Sequence, residues 1–192
     1  MKKILGIVVL GLLFSGNAYA DDIKDFQIEG MSLGDSSLDH FSENEIKKFT
    51  QKFRYNNNDF VPVSPKMKLE TFDTLQFYYK NNDVKKPIHV ISGIINFKNN
   101  KEACYKEEKS VIEKLKLIFP NAKQVDMGVK KHDFDKSGKS TKSNYRFVFD
   151  NGDYAYVACY DWSKKMKKFK DHLRVGVVKK DFDHWIYNIA TK

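Results

Sequence analysis

Along residues 101–119, KEACYKEEKSVIEKLKLIF, apolar side chains return at Cys104, Val111, Leu115 and Ile118, flanked by Ile112 and Phe119. This spacing lays one broad apolar face along a helix, and Pro120 with Asn121 ends it. Glu107, Glu108 and Glu113 fall among lysines, which places them on the exposed side as ion-paired, solvated carboxylates. Elsewhere the period is two. Residues 72–80 alternate Leu75, Phe77 and Tyr79 on one face, and 144–149 alternate Tyr145, Phe147 and Phe149. Residues 88–97 (IHVISGIINF) are apolar on both faces and predict a central strand, with Gly93 marking a bulge or a close approach. Two prolines restrict 60–65 to a sheet edge. Further strands are expected at 125–131, 154–162 and 173–178, and Asp150-Asn151-Gly152-Asp153 carries a type I′ hairpin signal.

The densest local signals lie in residues 30–49. Asp35 or Ser36 can cap a first short helix, and Ser42 with Glu45 forms a capping box for a second. Phe41 and Ile46 are placed for the accompanying hydrophobic staple. Residues 21–29 read as short and extended around Phe26 and Ile28. Near the other end, Asp181 can cap a last helix whose Phe182, Trp185, Ile186 and Ile189 share a face. Neither a repeat nor a linker interrupts the chain. The expected fold is a single α+β domain over 21–192: a mainly antiparallel sheet against the central helix, with short N-terminal helices and a C-terminal helix.

The run IEGMSLGDSSLDHFSENEIKK (28–48), with ISGIINF and a cysteine-bearing helix downstream, resembles small exported proteins of marine alphaproteobacteria. That group brings no known activity, site or partner. More loosely, Gly30-Met31-Ser32 opening a short helix is similar to the small lipoproteins that assist outer-membrane protein assembly, and to β-lactamase-inhibitor-like folds. Those lipoproteins carry an acylated cysteine at the mature start, where this chain has Asp21.

The first twenty residues change the picture of compartment. Lys2 and Lys3 precede an apolar run at 4–14, and Ala18-Tyr19-Ala20 offers a small-x-small cleavage site. This is the pattern of a signal peptide cut after Ala20, and the run is too short to span a bilayer. The mature chain is expected in the periplasm or outside the cell. Removing the two leader lysines takes the formal charge from +9 to +7. Only Arg54, Arg146 and Arg174 are arginines among the 34 basic residues. Phosphate and base readers favour arginine for its bidentate fork, so the charge reads as compositional and no nucleic-acid partner is expected.

Two cysteines in an exported chain most simply form one disulfide. A Cys104–Cys159 bridge lacks the C-x-x-C spacing of redox pairs and reads as structural. Residues 132–140 (HDFDKSGKS) place Asp133, Asp135, Ser137, Gly138 and Ser140 where a calcium loop has ligands or its glycine. Asn144 stands where the bidentate glutamate belongs, and Lys131, Lys136, Lys139 and Lys142 repel a cation. A flexible hairpin loop is the expectation, with no metal. His40, His89, His132, His172 and His184 form no zinc-binding spacing, and no G-x-S-x-G elbow is present. Neither a catalytic residue nor a cofactor is expected.

The best candidate for function is residues 164–170 (KKMKKFK): Lys164, Lys165, Lys167, Lys168 and Lys170 with Trp162 and Phe169 beside them. A lysine-rich loop with aromatic neighbours suits an anionic surface such as lipid headgroups or acidic polysaccharide. The leading expectation is a periplasmic binding or interaction protein without catalytic chemistry. The alternatives are a small envelope hydrolase with dispersed catalytic groups and an inhibitor of a secreted enzyme.

Overall fold

A computed structural model describes residues 23–190, apart from 53, 54, 56, 99 and 167. The expected signal peptide, residues 1–20, therefore lies outside the described residues. Seven strands form one antiparallel sheet in the order β1-β2-β3-β7-β6-β5-β4. They are β1 (Phe60–Val63), β2 (Thr74–Lys80), β3 (Ile88–Asn96), β4 (Lys123–Lys131), β5 (Thr141–Val148), β6 (Tyr154–Asp161) and β7 (His172–Val178). Two meanders, β1–β3 and β4–β7, meet where β3 pairs with β7 from Val90↔Val178 to Asn96↔His172. The helices are α1 (Glu43–Phe49), α2 (Lys101–Ile118) and α3 (Lys180–Trp185).

Helix α2 crosses from β3 to the far edge strand β4 and packs on β6 and β7. Asn100 caps it by accepting from the Ala103 amide. Its buried line is Cys104, Glu108, Val111, Leu115 and Ile118, and the disulfide from Cys104 to Cys159 ties its first turns to β6. Together with Ile23, Phe26, Met31, Leu33 and Ile46 it covers one sheet face, where Leu75, Phe77, Ile91, Phe147, Val157, Val175 and Val177 point inward. A second core lies on the opposite face, where α3 sets Phe182 and Trp185 on Phe60, Tyr78, Val90, Tyr154, Tyr156 and Val178. Strands covered on both sides lose their alternation, which is why β6 is buried at every position from Tyr154 to Cys159.

Local chemistry explains most element boundaries. Ser42 accepts from the Glu45 amide while the Glu45 carboxylate takes the Ser42 amide, so α1 has its capping box. Gly93 marks a close approach: a Cβ there would stand 2.3 Å from the Phe72 ring. The β2–β3 bulge falls elsewhere, between Tyr78 and Tyr79.

Four expectations need correction. Residues 23–25 form a 3-10 turn and Ile28 bridges back to Met31, because these apolar side chains close the core beneath α2. The β5–β6 turn is not type I′. Of its residues only Gly152 has positive φ (+87°), and the Gly152 amide donates to the Phe149 carbonyl, giving a three-residue loop. Asp181 does not cap α3: Lys179 is the N-cap, and the Asp181 carboxylate faces His89 Nδ1 at 3.0 Å. Finally, the chain widens into a π turn at Ile186–Ala190, which turns Ile189 outward at 40% exposure and buries Ala190 instead.

Candidate functional site

The β4–β5 and β6–β7 connections leave the sheet at the same end, since Thr141 pairs with Asp161 and Tyr160 with His172. Asp135 stitches the two loops together. Its carboxylate accepts from the Ser137 amide (2.9 Å), the Ser140 amide (3.0 Å), the Ser140 hydroxyl (2.7 Å) and the Ser163 hydroxyl (2.8 Å). The Ser163 amide returns to Ser140 Oγ, and the Trp162 amide donates to Asp171. Hydrogen bonds from Ser140, Ser137 and Ser163 hold the Asp135 carboxyl far below the usual carboxylate range. The 132–140 segment is the hairpin connection between β4 and β5, and its serine donors occupy the carboxylate that a calcium loop would use.

Aromatic rings stack outward from this knot. Tyr160 lies on His172 with centroids 4.5 Å apart, His132 packs against Trp162 at 4.5 Å, and Trp162 stacks on Phe169 at 4.4 Å. Phe134 meets Phe169 edge-on at 5.9 Å. Phe134 is 66% exposed and Phe169 42%. Lys164, Lys165, Lys168 and Lys170 are exposed beside them, as are Lys136 and Lys139 from the neighbouring loop. Lys167 lies outside the described residues. Burial, then Lys142, pushes the His132 imidazole below its ordinary value; burial, then Arg174, pushes His172 down to about 4. Both rings are neutral at neutral pH, so the positive charge at this end comes from lysine.

The sequence-derived pair Trp162 and Phe169 is brought into contact, and the described lysines of the same loop are exposed. Phe134 and the Asp135 knot were missed. The spacing of Asp135, Ser137 and Ser140 shows the local half of that knot, while Ser163 is contributed from 28 residues away.

A second place carries ionisable chemistry. Glu108 does not lie on the solvated side of α2. It is buried at 6% exposure, and the Ser143 hydroxyl donates to it at 2.6 Å while accepting from the Cys159 amide at 2.9 Å. Burial raises its carboxyl above the ordinary value, with Ser143 and the Cys159 amide pulling the other way. It lines a groove of about 390 Å³ between α2 and β4–β5, with Tyr105, Asp126 and Tyr145. Glu107 is half-buried, and Glu113 is exposed and paired to Lys116 at 2.8 Å. Among the described residues, no three His, Cys, Asp or Glu side chains cluster as a metal site, and no helix is long and apolar enough to cross a membrane.

Comparison of the chain with protein-family models, curated proteins and solved structures finds no match.

Proposed function

We propose that the mature chain is an exported binding protein, without catalytic chemistry of its own, that holds an anionic envelope surface at the paired-loop end of its sheet. The observation that carries this reading is the exposed Phe134–Phe169 pair on two loops that Asp135 pins together and that also carry exposed lysines. Exposed rings supply contact area, and lysines supply attraction to negative charge. Pinning matters because an already ordered loop loses little entropy on binding.

The test is co-sedimentation with vesicles of mixed anionic and zwitterionic lipid, and with acidic polysaccharide. The mature protein is compared with a variant in which Lys164, Lys165, Lys167, Lys168 and Lys170 are all glutamine. Each engaged lysine near an anionic surface contributes about 1 kcal/mol, so even two engaged lysines predict a loss of ~30-fold in affinity. Capture should also fall with added salt. Equal capture of parent and variant, or capture insensitive to salt, overturns the reading.

The envelope hydrolase remains the second reading because of Glu108, a carboxyl raised by burial and lining a groove. Against it, Ser143 Oγ is held between Glu108 and the Cys159 amide rather than facing open space.

A further inference from the structure

The net charge of the chain is unevenly placed. The connections 132–140 and 162–171 hold seven lysines and three aspartates, a formal +4, while the whole of 21–192 carries +7. A lysine-rich composition explains how many lysines there are, and leaves open why so much of the excess falls in two neighbouring connections. Two of the three aspartates are turned inward: Asp135 and Asp171 are buried at 5% and 4% exposure, the first on its serine donors and the second on the Trp162 amide. That leaves Asp133 as the exposed acid of the two loops.

Apolar side chains exposed singly are ordinary on any protein surface. Phe134 and Phe169 are not single. They are the exposed phenylalanines among the described residues, and they meet across two different loops. They also end a run of rings that opens toward solvent: Tyr160 and Trp162 are partly covered, Phe169 is more exposed and Phe134 most of all. Asp135 and its donors already join the loops, so the two outer rings are spare as far as the fold is concerned.

The chemistry of the patch separates two anionic surfaces. Acidic polysaccharide presents hydroxyls that need hydrogen-bond partners, and a phenyl ring offers none. The one large flat ring with a polar edge, Trp162, has Phe169 stacked on it and His132 packed against it. A bilayer instead presents charge at its surface and hydrocarbon just beneath, where apolar side chains enter while lysine stems reach back to the headgroups.

We infer that Phe134 and Phe169 enter the boundary between headgroups and acyl chains of an anionic phospholipid bilayer, with the loop lysines remaining at the phosphates. The inference rests on the surface-binding reading above and names lipid as its partner.

Tryptophan emission tests it, since Trp162 stacks on Phe169 while the other tryptophan, Trp185, is buried at 2% exposure. The mature protein, the variant F134S/F169S and the five-lysine variant are each mixed with vesicles of phosphatidylglycerol and phosphatidylcholine, and with alginate. Bromine on the upper acyl chains should quench the emission of vesicle-bound parent. F134S/F169S should bind vesicles at least ~10-fold more weakly, because about 55 Å² of newly buried ring surface is worth a factor of ten. It should melt with the parent, and F134W, which keeps a ring, should bind vesicles at least as well. Vesicle binding equal in parent and F134S/F169S, or bound parent that bromine does not quench, overturns insertion; loss of binding in the five-lysine variant would then still uphold the surface reading. Capture by alginate alone likewise overturns insertion and keeps that reading, whereas capture by neither overturns both. An F134S/F169S protein that melts well below the parent, with F134W no better on vesicles than F134S, overturns the inference too, since the rings would then serve the fold.

Discussion

At the scale of single residues, Glu108 shows how a partner far along the chain reverses a local reading. Position 108 lies on the line of Cys104, Val111 and Leu115, and a glutamate there among lysines looks solvated. What makes its burial tolerable is Ser143, 35 residues away on β5. Because burial raises the folded carboxyl, the folded state binds more protons than the unfolded chain above the ordinary glutamate value of about 4.3. Stability from this group is therefore fully present below that value and is lost as pH rises through the folded one. Glu108→Gln keeps an acceptor for Ser143 and removes the charge. Urea unfolding from roughly pH 4 to pH 8 should give a flatter stability curve than the parent, with the variant favoured at neutral pH. Parallel curves would mean that the carboxyl titrates as a solvated one. Ser143→Ala should cost about 2 kcal/mol at neutral pH, since it strips a buried carboxylate and the Cys159 amide of their partner.

At the scale of elements, what was legible follows sequence distance. The Ser42–Glu45 box spans three residues and is read directly, as is the long period of α2. The turn after α3 was not legible: Ile186 and Ile189 keep a helical spacing, and only docking against the second core widens it into a π turn. The candidate loop lies between these cases. Its lysines and rings are visible in residues 162–170, while the anchor that orders it, Asp135, sits in a different connection. Asp135→Ala tests whether the anchor matters. Amides of 162–171 should lose hydrogen-exchange protection while those of β6 and β7 keep theirs, and surface capture should weaken. Because the Asp135 carboxyl is depressed, its contribution is complete above the ordinary aspartate value of about 3.9 and is lost as pH falls through the folded one. The parent should therefore show a fall in melting temperature in strong acid that the variant lacks. Unchanged exchange in 162–171 would show that the aromatic stack alone orders the loop.

At the scale of the whole molecule, the strands were readable one by one and their order was not. Both 88–97 and 173–178 read as apolar, yet nothing in either run says that they pair, because the β3–β7 ladder joins segments some eighty positions apart. The one long-range link that could be read was the cysteine pair, through simple counting in a chain whose first twenty residues read as an export signal. It fastens α2, which arrives between the two meanders, to β6 in the second of them. In the chain-entropy account, closing a loop of 55 residues stabilises the fold by about 4 kcal/mol. Both half-cystines are fully buried, so a reductant reaches the bond only when the sheet or α2 opens. The double variant Cys104→Ala, Cys159→Ala should thus unfold in urea with a deficit near 4 kcal/mol. In the parent, the rate of thiol release under reductant should rise in step with the rate of unfolding as urea is added. Thiol release that stays fast in the absence of urea would place the bond in a locally opening segment, and α2 would then be a mobile cover rather than a fixed wall of the core.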